Sequence, residues 1–483
     1  MKMIYGVKDK PAFGQMIIFA IQQLLAIMAA TLVVPIIING DAKLAVADAM
    51  QPSAALFGAG IGTLVYALFT KFKSPVFLGS SFAFLGSMAA AFAGGVSVQL
   101  GYLGLIIGAI MAGLVYVVIA AIVKFAGVKW INTLMPAVVI GPTVSIIGLS
   151  LAGNAVGDLQ KGGLMTEVTN TVAKLNETSG AYELVEESAS VSVASPYVCI
   201  IIGLVTLAVT MLCSTFGKKM AKLIPFIIGI LSGYAVAAVF TIIGNLRGID
   251  ALKVIDFSKF TALFENGVEL ESFFTVPEFT FLTALGGFSE ITASYIVAIA
   301  VAYIPVAFVV FAEHIADHKN LSSIIESDLL EEPGLHRTLL GDGIGSMVGA
   351  FFGGCPNTTY GESVGCVAIT KNASVVTIIT AAILSVVIAF IRPFVAFVDS
   401  IPSCIMGGVC FALYGFIAVS GLKMIQKVDL EQNKNLFVVS VILIAGIGGF
   451  FIKFGEIEIT KIAVALILGI LTNIMLKGAK EQQ

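Results

Sequence analysis

The chain has 483 residues, 58% of them hydrophobic and only 12% charged, with a net charge of −3 and a mean hydropathy of +1.02. Soluble domains carry roughly 25% charged residues, so a water-soluble globular protein is excluded, and no basic stripe points to nucleic acid. Apolar runs of about 20 residues, enough to cross the hydrocarbon of a lipid bilayer, recur from end to end and make this a polytopic membrane protein.

Residues 1–11 are polar and the first apolar run is long enough to span and stay, which predicts no cleaved signal peptide. Spans are predicted in order over Phe13–Ile38, Ala54–Phe69, Leu100–Val123, Leu134–Ala152, Pro196–Cys213, Leu223–Ile243 and Phe281–Ala312. Further ones follow over Gly343–Phe352, Ser374–Ile391, Ile401–Ser420, Leu436–Phe451 and Ile462–Leu476. Two apolar segments, Leu78–Phe92 and Thr358–Thr370, are too short to cross as plain helices. Counting them gives about fourteen crossings. Alternating these from a cytoplasmic N-terminus puts about two-thirds of the 27 Lys and Arg inside, as the positive-inside rule requires. Both termini are then cytoplasmic, and the polar stretches 153–195 and 244–277 are surface loops outside. The six cysteines lack metal-ligand spacing and read as buried free thiols.

The two short segments carry the chemistry. In hydrocarbon, non-helical backbone survives only inside protein or beside a cavity. "SPVFLGSSFAF" (residues 74–84) and "CPNTTYGESVGCVAITK" (residues 355–371) each offer a proline, an extended piece, a turn and a short apolar run. One device used at corresponding places in two halves points to a midplane binding site in an inverted-repeat transporter. Glu362 stands within the second piece, where an acid costs about 2.5–3.5 kcal/mol on insertion scales and is functional by default. Glu313 follows an apolar run, Ile291–Ala312, long enough to span alone, so hydropathy sets it at the membrane edge. His314 reads as structural, and Glu290, Asp342 and Lys371 as interfacial.

The motifs "TTYGE" with "VGCVAITK", "LGSSFAF", "AEHIADH", "DLLEEPGLHR" and the early "QQLLAIMAATLVVP" closely resemble the uracil permeases of the nucleobase–ascorbate transporter family. The resemblance covers nearly the whole chain, with the motifs in the same order. It implies an all-α polytopic protein of fourteen segments in two inverted seven-segment repeats, with short antiparallel strands in segments 3 and 10. Residues 1–245 are then the first repeat, 246–280 an extracellular loop and 281–483 the second repeat. Segments 1–4 and 8–11 form a core domain, and segments 5–7 and 12–14 a gate domain. Proton-coupled uracil uptake across the cytoplasmic membrane, an elevator-like motion and a homodimer are also implied. The residues themselves offer no Walker loop, no dinucleotide fingerprint and no nucleophile–base set, so neither a cofactor nor an enzymatic activity is expected. Carried over by position, the substrate-site acids are Glu313 and Glu362, and the main chain of Phe82, Tyr360 and Gly361 completes the pocket.

Elementary chemistry favours the same set. A pyrimidine-2,4-dione presents N–H donors and carbonyl acceptors, and hydrogen bonds to carboxylates contribute roughly 1.5–3 kcal/mol each. Backbone N–H groups at a half-helix start can meet the carbonyls, and Phe82 and Tyr360 offer apolar surface to a flat ring. Ser81, Thr359 and Ser363 are expected to support the site.

Two positions depart from the family pattern. Ser363 replaces the usual asparagine after the acid and is expected to hold Glu362 in place. Asp317 replaces a histidine one turn after Glu313, with His318 following, so Glu313, Asp317 and Glu362 are all candidates for proton coupling. Two acids on one helix face favour one of them holding a proton. Alternatives remain a purine carrier of the same family, an anion transporter of the related seven-plus-seven fold, a channel and a membrane enzyme.

Overall fold

The computed structural model describes residues 3–42, 44–45, 48–127, 136–175, 182–218, 220–265, 267–454 and 457–476. Helices dominate, because in hydrocarbon a helix satisfies its backbone internally. The first half runs α1 (Phe13–Asp41), α2 (Pro52–Phe69), β1 (Leu78–Ser80), α3 (Leu85–Ala91), α4 (Val98–Ala126), α5 (Ala137–Ser150) and α6 (Ala152–Asp158). A hairpin of β2 (Met165–Leu175) and β3 (Tyr182–Ser192) leads to α7 (Pro196–Phe216) and α8 (Pro225–Arg247).

The second half runs α9 (Ala293–Ile325), α10 (Leu335–Gly353), β4 (Asn357–Thr359), α11 (Gly361–Thr370), α12 (Val375–Ile388) and α13 (Arg392–Asp399). It ends with α14 (Ser403–Ile425), α15 (Asn433–Ile447), the strands β5 (Ile452–Phe454) and β6 (Ile457–Ile459), and α16 (Lys461–Met475).

Among the described residues, eight helices are long and apolar enough to cross a membrane: α1, α2, α4, α5 continued through α6, α7, α8, α9 and α14. Residues 82–91 and helices α12, α15 and α16 are shorter and apolar. The start of the span expected from Leu134 lies outside the described residues.

Helix boundaries follow from local sequence. Proline opens α2, α7 and α8, where its missing N–H costs nothing. Ser97 caps α4 by accepting from the Leu100 N–H at 3.1 Å, and Thr292 caps α9 by accepting from the Tyr295 N–H at 3.2 Å.

Packing relates the two halves. Helix α2 lies against α10, α5 against α14, and β1 pairs with β4. Helix α4 packs on α9 and α10, while α1 and α2 pack on α12. Small residues allow close approach, as in transmembrane bundles generally: a Cβ on Gly58 would lie 2.6 Å from the Gly349 carbonyl oxygen. The N-terminal segment is tied down too, with Ile4 N–H donating to the Lys371 carbonyl at 2.8 Å.

Three expectations change. The apolar run before Glu313 does not mark the end of its helix, because α9 continues to Ile325 before Glu326 closes it at φ 55° and Glu313 is half-buried within it. Hydropathy ended the span early because polar groups on the far side of α9 are paired inside the protein. Asp342 is not interfacial: it is fully buried in α10. The stretch 153–195 is not plain loop, since it carries α6 and the β2–β3 hairpin.

Candidate substrate site

The site is built where two broken segments cross. Strands β1 and β4 are antiparallel, with Leu78 opposite Thr359, Gly79 opposite Thr358 and Ser80 opposite Asn357. Their ladder extends one residue at each end, through Ser81 N–H to the Pro356 carbonyl at 2.9 Å and Tyr360 N–H to the Phe77 carbonyl at 3.3 Å. Every residue of both strands is buried, so the paired ladder satisfies backbone groups that lipid could not. Each strand then runs into a short helix, through the turn Phe82–Phe84 into α3 and through Gly361 into α11. The positive ends of both helix dipoles therefore meet at the crossing.

The acids gather there. Glu362 lies in the first turn of α11, half-buried, beside exposed Gly361. Tyr360 provides no side-chain cap to α11. Glu313 and Asp317 stand one turn apart on α9, both half-buried, on one face. The three carboxylates lie within charge range of one another. Thr359 Oγ1 donates to Asp317 Oδ2 at 3.0 Å. A Cβ on Gly361 would lie 3.9 Å from Asp317 Oδ1, which sets α9 directly beside the start of α11.

Other expected residues fall differently. Phe82 is half-buried and meets Tyr414 of α14 edge-on, with ring centroids 6.0 Å apart. Tyr360 does not offer its ring: only 4% exposed, it packs over Gly79 and donates from its hydroxyl to the Ser80 carbonyl at 2.6 Å. Its main chain alone faces the crossing. Ser81 is buried with its hydroxyl unpartnered. Ser363 does not brace Glu362; its oxygen accepts from Gln23 Nε2 at 2.5 Å and from the Phe77 N–H at 3.0 Å. That bond brings in Gln23 of α1, a buried supporting residue that sequence reasoning missed. Its signal was a polar Gln22-Gln23 pair inside an otherwise apolar span.

Behind α9 lies a second polar group. His314 Nδ1 is 2.7 Å from Asp342 Oδ2, and its Nε2 is 2.9 Å from Thr338 Oγ1. His318 Nδ1 is 2.8 Å from the His314 carbonyl, which can only accept, so that nitrogen carries the proton. A neutral His318 then accepts at Nε2 from the Tyr66 hydroxyl, 2.7 Å away, and Ser74 lies 2.7 Å beyond. Both imidazoles and Asp342 are fully buried. This ladder fixes the rotation of α9 and presents Glu313 and Asp317 to the crossing. Between the spans, Lys73 pairs with Glu332; that ammonium holds the exposed Glu332 carboxyl below the usual carboxylate range.

Chemically, the crossing offers carboxylate acceptors and helix-start N–H donors. Among the described residues no group of three or more His, Cys, Asp or Glu is arranged to hold a metal ion.

The chain is similar to known proteins over nearly its whole length. A model of the permease family matches residues 14–185 and 183–454. The chain is 37% identical to the uracil permease of Bacillus caldolyticus, over 99% of this chain and 95% of that one. It is 36% identical to the uracil permease of Bacillus subtilis, over 100% of this chain and 97% of that one, and 33% identical to that of Escherichia coli K12, over 98% and 94%. The fold matches the transmembrane domain of a cyanobacterial bicarbonate transporter, BicA, at a TM-score of 0.57 and 14% identity, covering 97% of this chain and 100% of that one. It also matches the murine anion transporter Slc26a9 in its inward-facing state, at 0.60 and 12%, over 97% and 69%.

Proposed function

Because the chain belongs to the permease family of the uracil permeases, we propose that it is a secondary transporter importing uracil by proton symport across the cytoplasmic membrane. The observation that carries this reading is the meeting of Glu313, Asp317 and Glu362 with the start of α11 at the β1–β4 crossing. The acids accept from the N–H groups of the imide, and the main chain of Tyr360, Gly361 and Phe82 meets its carbonyls. The Phe82 ring covers one face of the base.

Asp317, Glu313 or Glu362 carries the coupled proton. A proton taken up by one acid as substrate binds lowers the negative charge the loaded site carries across, and the burial of such charge is costly. Thr359, Ser363 and Ser81 support the site from behind.

The proposed architecture is fourteen segments in two inverted repeats, residues 1–245 and 281–483, joined by an extracellular loop at 246–280, with the strands in segments 3 and 10. Packing supports it, because exchanging the halves maps contacts onto contacts: α4 on α10 becomes α12 on α2, and α9 on α4 becomes α1 on α12. Segments 1–4 and 8–11 form the core, and segments 5–7 and 12–14 the gate. Elevator-like movement of the core past the gate exposes the site alternately. Both termini are cytoplasmic and the unit is a homodimer. The test is uptake of labelled uracil by proteoliposomes holding the purified protein, with an imposed inward proton gradient. Accumulation above equilibrium supports the reading, and gradient-independent equilibration refutes the coupling.

A further inference from the structure

Away from the crossing's ligand face, a small internal cavity of about 10 Å³ lies between α4, α9, α10, β4 and the turn before α3, lined by Phe84, Ala112, Tyr116, Val310, Ser346 and Asn357 among others. That is room for one water-sized occupant. Its polar groups are poorly served by the protein itself. Tyr116 Oη and Asn357 Oδ1 are both buried and have no hydrogen-bond partner.

The amide orientation of Asn357 is fixed independently. Its Nδ2 donates to the Gly58 carbonyl at 3.1 Å, so the flipped form would set oxygen against oxygen. The side chain is wedged between Gly62 and Gly349, where a Cβ on either would collide with it. Oδ1 is therefore an acceptor without a donor. Tyr116 is likewise held, its ring edge-on to Phe311 and His314 with centroids 6.4 and 6.5 Å away. Its hydroxyl is a donor without an acceptor. Ser346 adds a second hydroxyl, and a third polar group, to the wall, one helical turn after Asp342.

We propose that this cavity binds one ordered water, which accepts from the Tyr116 hydroxyl and donates to Asn357 Oδ1 and Ser346 Oγ. Three hydrogen bonds are the usual complement of a buried water. The donor set argues against a cation: the amide and both hydroxyls are neutral, and the rest of the wall is apolar. Asp342 does not line the cavity: its Oδ2 is held by His314, and its Oδ1, though buried without a partner, lies outside the wall. An ion stripped of its hydration there lacks compensation.

The water joins α4 of the first half to α10 and β4 of the second. Asn357 begins the strand that continues into Tyr360, Gly361 and Glu362, so the water pins that strand from behind. The inference stands on the cavity and does not depend on which solute is carried.

The test is an experimental structure of the full-length protein at a resolution that shows ordered water. One peak is expected within about 2.7–3.2 Å of Tyr116 Oη and Asn357 Oδ1. A second data set after exchange into rubidium should show no anomalous signal at that point. Tyr116→Phe removes the donor, and Ala112→Val fills the space while leaving all three polar groups, so both variants should lose the peak. Absence of the peak in the wild-type protein overturns the proposal, whether or not the variants fold. So does a rubidium signal, or a peak that persists in Tyr116→Phe.

Discussion

Thr359 Oγ1 donates to Asp317 Oδ2 at 3.0 Å, joining the last residue of strand β4 to the helix that carries Glu313. The bond makes one acid part of the crossing itself. Hydrogen bonds to charged groups contribute roughly 1.5–3 kcal/mol, so Thr359→Val, which keeps shape and loses the donor, should reduce uptake about tenfold or more. Thr359→Ser restores the donor and should restore most of the activity. Equal loss in both variants would mean that packing, not the hydrogen bond, is what matters here.

The two family acids are expected to be indispensable. Glu313→Gln and Glu362→Gln keep the size of each side chain but replace an acceptor-only carboxylate with a donor-bearing amide. Each variant should insert and fold as the wild type does, yet fail to accumulate uracil. Wild-type uptake by either one removes that residue from the site.

Coupling makes a separate prediction. If an acid at the crossing takes a proton from outside and releases it inside, uptake rises as external pH falls and collapses when a protonophore is added. Asp317→Asn should abolish accumulation against a gradient while binding of uracil, measured by calorimetry on the purified protein, changes less. Uptake that requires sodium and ignores pH would falsify proton symport.

Much of this was legible in the sequence, for physical reasons. The two broken pieces, residues 74–84 and 355–371, announce themselves, because Pro, Gly and β-branched residues cannot be incidental where lipid leaves backbone groups no partner; β1 and β4 fall within them. Glu362 stood out for the same reason. What stayed hidden were pairings across the chain. Asp342 looked interfacial because its partner His314 lies 28 residues earlier, and nothing local shows that the two meet in the interior. Ser363 was assigned to its neighbour Glu362, but a helix start turns successive side chains apart, and it faces Gln23 on α1 instead. Tyr360 looked like a stacking platform until the absent side chain of Gly79 showed where its ring goes.

That last packing gives a stability prediction. A Cβ on Gly79 would overlap the Tyr360 ring, whose hydroxyl is anchored on Ser80 of the same strand. Neither strand can yield, because Gly79 is paired opposite Thr358. Overpacking of this kind typically costs about 1–3 kcal/mol. Gly79→Ala should therefore lower the thermal midpoint of the detergent-solubilised protein and its uptake together. The double variant Gly79→Ala with Tyr360→Ala relieves the overlap and should recover part of the midpoint but not the uptake. A midpoint unchanged in Gly79→Ala would show that the ring can move aside.

Substrate choice follows from which hydrogen atoms the ligand brings. On the proposed reading Glu313 and Glu362 accept and the start of α11 donates, so the complementary edge is an imide: N–H flanked by carbonyls. A site built around particular N–H groups penalises a ligand lacking them, because its own buried polar atoms then go unpaired. Uracil should compete best against labelled uracil. Thymine should compete less well, because its added methyl must find room beside Phe82 where the ring already meets Tyr414. Cytosine should compete poorly, since its N3 carries no hydrogen and presents a lone pair to a carboxylate. Xanthine shares the imide edge but adds a second ring against the same wall, so it tests size apart from hydrogen bonding. If xanthine or guanine displaces labelled uracil better than unlabelled uracil does, the pyrimidine assignment fails and the chain is a purine carrier.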